Sequence, residues 1–267
     1  MHVSFRTTPR SEVRLQLAWT RRLAAGAFVA VTTLLATAAA AELKVVAPNA
    51  LKESITEIAS RFERETGHRV VFSWGGSESI ARRVTGGETF DVVVNTAVTV
   101  ERFIVEERLV AGTRSDFARS GVGVAVRSGL PRPDVSTPDA LRAALLAAPS
   151  IAISSGASGR YLERLFQRLG VADQIRGRIK QPPSGAQIAE MIASGEADLG
   201  FQQVTELMHA KGIDYLGPLP PEVQSYTVWS AARHPAGGDT EAAIGFLQAL
   251  VDPASAAAIR GTGMETR

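Results

Sequence analysis

Val45-Val46-Ala47-Pro48-Asn49-Ala50 runs from an apolar strand straight into an amphipathic helix, and this kind of junction recurs along the chain. Phe72-Ser73-Trp74-Gly75-Gly76-Ser77, Ile153-Ser154-Ser155-Gly156-Ala157-Ser158-Gly159 and Gln181-Pro182-Pro183-Ser184-Gly185-Ala186 have the same form. Each leaves free backbone N–H groups at a helix N-terminus beside small side chains, an arrangement that holds an anion without a formal charge. Strand and helix in alternation define an α/β fold with a largely parallel sheet. Ligands of such sheets sit outside the C-terminal ends of the strands, where these junctions lie.

The alternation extends outward on both sides. Leu43 to Val46 reads as a buried strand, and Asn49 as the cap of a helix carrying Leu51, Ile55, Ile58, Ala59 and Phe62 at helical spacing, ended by Gly67. Strands are expected at 70–73, 90–94, 121–126, 151–153, 198–201 and 226–230. Helices are expected after Ser77, over 100–109, from Thr137-Pro138, over 159–169, over 186–193 and from the Asp239 cap, with a last short one at Asp252-Pro253. No repeat of fixed period is present.

The first 41 residues read as a cleavable secretory signal. Arg14, Arg21 and Arg22 precede an apolar run from Leu23 to Leu35, followed by the small residues Ala36 to Ala41. The run is shorter than the ~20 residues of a spanning helix. Arg21-Arg22 admits twin-arginine as well as general export. The formal charge is +2, but the leader holds Arg6, Arg10, Arg14, Arg21 and Arg22 against Glu12. Its loss leaves a chain of slightly acidic balance, with no electrostatic case for nucleic-acid binding. The chain has no cysteine, which excludes disulfides, thiol nucleophiles and iron–sulfur or zinc-finger sites.

Other chemistries lack their motifs. There is no Gly-x-x-x-x-Gly-Lys phosphate loop, and Gly121-Val122-Gly123 lacks the third glycine of a dinucleotide fingerprint. Ser158 has no flanking glycine pair of a nucleophile elbow. His2, His68, His209 and His234 are dispersed, without metal-ligand spacing. No catalytic residue, metal or cofactor is therefore assigned.

Four segments carry a family resemblance: Val46-Ala47-Pro48-Asn49-Ala50-Leu51, Gly76-Ser77-Glu78-Ser79-Ile80-Ala81-Arg82, Gly87-Glu88-Thr89-Phe90-Asp91-Val92-Val93-Val94 and Gly195-Glu196-Ala197-Asp198-Leu199-Gly200-Phe201. Residues 42–267 resemble the periplasmic molybdate-binding proteins of ABC importers and their wider substrate-binding superfamily. The resemblance implies a two-lobed α/β periplasmic binding protein fold, each lobe a mainly parallel sheet flanked by helices, with the ligand in the cleft between lobes. Lobe 1 is expected at 42–124 plus 226–267 and lobe 2 at 125–225, with crossing strands near 122–126 and 226–230. It further implies a periplasmic monomer that carries a small anionic solute to an inner-membrane ABC permease.

In that family two hydroxyls near the first and second junctions, backbone N–H groups of the other lobe and a late tyrosine hold the oxyanion. Carried onto this chain, the second hydroxyl is Ser77. The first position falls on Ala50, with Asn49 beside it, and the tyrosine position on Gln203. The backbone donors are expected around Ser158-Gly159 and Ala186. Asn49 and Gln203 can still donate from their amides, so the ligand is either a molybdate-like oxyanion or a small organic acid. Arg82, Arg83, Arg160 and Lys52 follow junctions closely enough to reach a carboxylate or to lie on exposed helix faces.

The second half also resembles bacterial aconitate isomerase, an enzyme on the same binding-protein fold. The segments are Pro131 to Thr137, Ala157-Ser158-Gly159, Gly200-Phe201-Gln202-Gln203-Val204 and Leu216 to Pro220. An allylic proton shift needs an acid/base group at the substrate carbon. Glu78, Lys52 and Glu206 lie nearest the expected cleft. Binding is the primary expectation and isomerisation the alternative.

Overall fold

The computed structural model describes residues 1–2, 40–183 and 187–267. The expected signal segment, apart from its ends, and Ala186 lie outside the described residues. The first strand, β1 (Glu42–Pro48), pairs in parallel with β2 (Arg69–Gly75) and β3 (Val92–Thr96). Between them run α1 (Lys52–Thr66) and α2 (Ser77–Thr85), and α3 (Ala97–Val105) follows β3. Helix α1 buries Ile55, Ile58, Ala59 and Phe62 on one face and stops at Gly67, whose φ of 76° suits a residue without Cβ. Asn49 does not cap it. Asn49–Leu51 forms a 3-10 turn preceded by Pro48, so the chain tightens before the α-helix begins.

The second half repeats the pattern. After β4 (Ser115–Arg127) and α4 (Pro138–Ala147), β5 (Ile151–Ile153) is parallel to β6 (Ile179–Lys180) and β7 (Leu199–Gln203). The connections include α5 (Ala157–Arg168), α6 (Ala172–Ile175) and α7 (Ile188–Ala193). Thr137 Oγ1 accepts from Ala140 N–H at 3.1 Å at the start of α4, and Pro138 needs no donor there. Next come α8 (Val204–Leu207), β8 (Ile213–Pro218), β9 (Tyr226–Arg233), α9 (Thr240–Val251), α10 (Ala256–Gly261) and β10 (Glu265–Thr266).

The sheets are mixed rather than mainly parallel. Strand order is β2-β1-β3-β9-β4-β7-β5-β6, and β4 pairs antiparallel with β7, β8, β9 and β10. The βα units give the parallel pairs, whereas the strands that join the halves return in the opposite sense. Strand β4 pairs with β9 as far as Gly121 and with β7 from Val122 onward. The chain thus changes sheets between those two residues. The return crossing is not the expected strand at 226–230, because all of β9 pairs with β3 and β4 in the first sheet. The return is the segment 219–225, and Gln224 secures it. Its Oε1 accepts from Val122 N–H at 2.8 Å and its Nε2 donates to Val122 O at 3.0 Å, the pattern a neighbouring strand would supply.

Each half is buried on both faces. Phe62, Phe246 and Leu250 centre one cluster of the first half, and Ile80, Val93 and Phe103 the other. Phe166, Leu141 and Phe201 centre one cluster of the second, and Ile188, Ile192 and Leu207 the other. Asp91 fixes the β3 entry: its carboxylate accepts from Lys44 N–H and Gly238 N–H, both at 2.6 Å. Gly237 packs so closely there that a Cβ would stand 2.9 Å from Asp91 Cα.

Candidate functional site

The strand ends of both halves meet at a small cavity of about 50 Å³. From the first half come Pro48, Asn49 and Ala50 at the end of β1, Gly75, Gly76 and Ser77 at the end of β2, and Trp229 of β9. From the second half come Ser154, Gly156 and Ser158 at the end of β5, Gln203 of β7 and Glu206 of α8. Of the expected site residues, the structure brings together Asn49, Ala50, Ser77, Ser158 and Gln203. Gly159 lies in the first turn of α5 directly behind them.

Ser77 opens α2, so the helix N-terminus points at the cavity. Its carbonyl accepts from Asn95 Nδ2 at 3.0 Å, which ties the junction to β3. Ser158 is buried, and its hydroxyl pairs with Ser154 Oγ at 3.0 Å. Gly159 has a steric reason. A Cβ there would lie 1.5 Å from Ser154 O, so only glycine lets α5 begin this close to its strand.

Gln203 is in the wall, but its amide is engaged elsewhere. In the orientation that satisfies both ends, its NH2 donates to Ser120 Oγ at 3.0 Å and Gly121 O at 3.2 Å, and its oxygen accepts from Thr227 Oγ1 at 2.9 Å. Gln203 thus braces the point where β4 changes sheets. Ala50 is buried, and its side chain contributes shape and no polar group.

Two cavity residues carry chemistry that the sequence reading assigned too little or missed. Trp229 is 3% exposed, and its indole Nε1 makes no hydrogen bond among the described residues. A buried donor left unpaired is costly, on the order of 1–3 kcal/mol. Glu206 is half-buried, and desolvation pushes its carboxyl up to about 8, only partly opposed by a backbone hydrogen bond from Gln203. Gln202 Nε2 donates to Glu206 Oε1 at 2.8 Å, while Gln202 Oε1 accepts from Ile188 N–H at the start of α7. At neutral pH the Glu206 carboxyl is mostly protonated and can donate to an anion beside it.

The other charged candidates divide. Arg83 is committed to Glu88 (Nε to Oε2, 2.6 Å) and lies over the Phe90 ring, outside the cavity. Lys52 lines an adjoining groove between α1 and α8, which shares Asn49, Ala50 and Glu206 with the cavity. Glu78 forms an ion pair with Arg160 of the other half, and His209 Nδ1 lies 3.2 Å from Glu53 Oε2, so charged side chains also bridge the halves. Among the described residues no cluster of three metal-ligating side chains occurs.

A two-lobed α/β architecture with strand ends converging on an interlobe cavity defines a periplasmic-binding-protein fold. Residues 43–265 match the model of the bacterial extracellular solute-binding proteins, and the chain belongs to that family. An aconitate isomerase from Pseudomonas sp. is 33% identical over 250 residues, covering 91% of this chain and 95% of that protein. The molybdate-binding protein ModA of Azotobacter vinelandii is 30% identical over 182 residues, covering 65% of this chain and 69% of that one. The solved periplasmic molybdate-binding protein of Azotobacter vinelandii superposes with a TM-score of 0.71 at 24% identity. It covers 83% of this chain and 98% of that one, a likeness of fold.

Proposed function

We propose that this chain holds a small anion, an oxyanion or a short organic acid, in the cavity between its lobes. It does so in the periplasm, as a monomer that hands the solute to an ABC permease. The lobes in this reading are 42–121 with 226–267 and 122–218, closing about the crossings at Gly121–Val122 and 219–225. The observation that carries the reading is the unpaired indole N–H of Trp229, buried in a wall that also holds Ser77, Ser158 and the N-terminal ends of α2 and α5. A ligand oxygen would satisfy that donor, and the helix ends favour a negative charge. The protonated Glu206 supports the same sign of ligand.

The test is thermal unfolding against molybdate, tungstate, sulfate, phosphate, citrate and both aconitate isomers. A ligand at a hundred times its Kd stabilises by ~2.7 kcal/mol. For a protein of this size that raises the midpoint by roughly 5–10 °C. A rise with at least one anion, lost in Ser77→Ala, is the expected result. No rise with any of them overturns the proposal.

Glu206 favours a second reading, isomerisation of an unsaturated carboxylic acid. A carboxyl with pKa near 8 is about one-tenth ionised at pH 7, so it can accept a proton from one carbon and return it to another. The near full-length likeness to an aconitate isomerase points the same way. Incubation with trans-aconitate, followed by proton NMR, would show the cis isomer forming in wild type and not in Glu206→Gln. Absence of turnover by clean wild-type protein removes this reading and leaves binding intact.

A further inference from the structure

Next to the small cavity, and sharing Ser77 with it, lies a larger pocket of about 380 Å³. Its walls are one face of α2 and one face of α3, with Arg160 of α5 reaching in from the other lobe. Glu78 and Arg82 stand four residues apart on α2, and Thr99 and Arg102 three apart on α3, so each pair shares a helix face. Three guanidinium groups therefore face a single lining carboxylate. Glu78 is paired with Arg160, and Arg102 with Glu106 outside the pocket at 3.7 Å. Arg82 is exposed and makes no side-chain hydrogen bond or ion pair among the described residues.

We propose that this pocket is a second anionic subsite, and that the solute is a di- or tricarboxylate with one carboxylate in the inner cavity and the others on Arg82 and Arg160. The inference rests on the anion-binding reading of the inner cavity and adds the class of ligand. Ser77 and Arg82 are five residues apart, roughly 7 Å along the helix axis. Helical side chains lean toward the N-terminus, so the long Arg82 side chain reaches back over Glu78, the neighbour of Ser77, and shortens that span to the dimensions of a short polyacid. The planar guanidinium matches a carboxylate in a two-bond pairing. The inner cavity has space for little more than one anionic group, whereas the outer pocket accommodates the remainder of a six-carbon acid. Arg160 belongs to the opposite lobe, so a polyacid shared between Arg82 and Arg160 bridges the cleft, and its binding couples to closure.

Calorimetry of the full chain with citrate and trans-aconitate, and with the single-group anions molybdate, sulfate and acetate, tests this. A phosphorylated sugar serves as the competing doubly charged probe. The expected result is tighter binding of a tricarboxylate than of any single-group anion, with that preference falling at least tenfold in Arg82→Ala. Arg176→Ala, which removes the same charge from an exposed site elsewhere, should leave the preference intact. Arg82 is exposed on α2, so an unchanged unfolding midpoint certifies the variant. If a single-group anion binds through Ser77 as tightly as the tricarboxylates, the inner site stands and the second subsite is overturned. Tricarboxylate binding that Ser77→Ala abolishes and Arg82→Ala leaves unchanged overturns the second subsite in the same way. Preference for the phosphorylated sugar overturns the carboxylate assignment. Failure of every probe overturns both the subsite and the anion-binding reading beneath it.

Discussion

Replacing Trp229 by Phe separates stability from function with opposite expectations. The indole Nε1 is buried without a partner, so the unliganded protein carries a desolvated donor. Removing such a donor returns about 1–3 kcal/mol. The smaller ring also gives up buried contact; at ~0.8 kcal/mol per methylene-sized group, losing part of the indole costs about 1–2 kcal/mol. The two terms oppose, and the net change in unfolding free energy should lie between a loss of about 1 kcal/mol and a gain of about 2 kcal/mol. That corresponds to a midpoint shift of at most roughly 4–8 °C at this size. Ligand affinity has no such compensation. A hydrogen bond to a charged group contributes about 1.5–3 kcal/mol, so loss of the N–H should weaken anion binding by roughly ten- to a hundredfold. Urea unfolding without ligand and calorimetry with the anion selected by the thermal panel provide the two readings. Wild-type affinity in Trp229→Phe would refute the assignment of the indole as a ligand donor. A loss of several kcal/mol without ligand would show that the ring is chiefly a packing element.

Three further outcomes follow from particular contacts. The Glu206 carboxyl titrates near 8 in the folded protein against 4.5 for an ordinary glutamate, so between those values the native state binds more protons than the unfolded one. Stability from this group therefore falls as pH rises between those two values, by about 5 kcal/mol at most, and levels off above pH 8. Urea unfolding at pH 5 to 9 should show a shallower slope for Glu206→Gln, and parallel slopes would contradict the raised pKa. Anion affinity should decline above pH 8 in wild type and stay flatter in the variant. Gly159→Ala places a methyl 1.5 Å from Ser154 O and should displace the start of α5, costing several kcal/mol in chemical unfolding and most of the ligand affinity. Gln224→Ala removes the side-chain partner of buried Val122 N–H, while Val122 O keeps Leu219 N–H at 2.9 Å, and should lower stability by about 1–2 kcal/mol, with faster exchange of the Val122 amide by NMR; unchanged exchange would show that Gln224 is not the brace of the crossing.

The junctions were legible because the helix starts are local chemistry. Pro138 after Thr137, the Asp239 cap and the glycine at 67 each fix an end without reference to the rest of the chain. The same locality explains what was not legible. Ser115 to Ser120 is too polar to read as a strand alone, yet it is the first half of β4, with Phe117 buried and Ser120 enclosed beside β9. Ile213–Pro218 likewise looks like a turn and becomes β8 only because β4 offers it an edge. The position of the return crossing depended on which partner β9 chose, and alternation within 226–230 is compatible with either sheet.

The site divides along the same line. Ser77 and Ser158, which line the cavity, stand at helix starts and are read as candidates from their junctions. Gln203 is carried over from the family resemblance, and although it lines the cavity its amide is held by Ser120, Gly121 and Thr227, a use that depends on three distant segments meeting. Glu206 reads in sequence as one of three acid/base candidates near the cleft, with Glu78 and Lys52, and nothing in the order of residues sets it apart from them. Its chemistry comes from desolvation, which exists only once the two lobes stand face to face. Trp229 is the sharper case, since a tryptophan within an apolar strand reads as core. What distinguishes it is a hydrogen bond it does not make, and an unmade bond has no signature in the order of residues. The cavity's chemistry therefore resides chiefly in two side chains whose meaning comes from burial, while its location resides in the junctions. Substitutions at the junctions should shift the fold and the site together, and substitutions at Trp229 and Glu206 should shift the ligand chemistry alone.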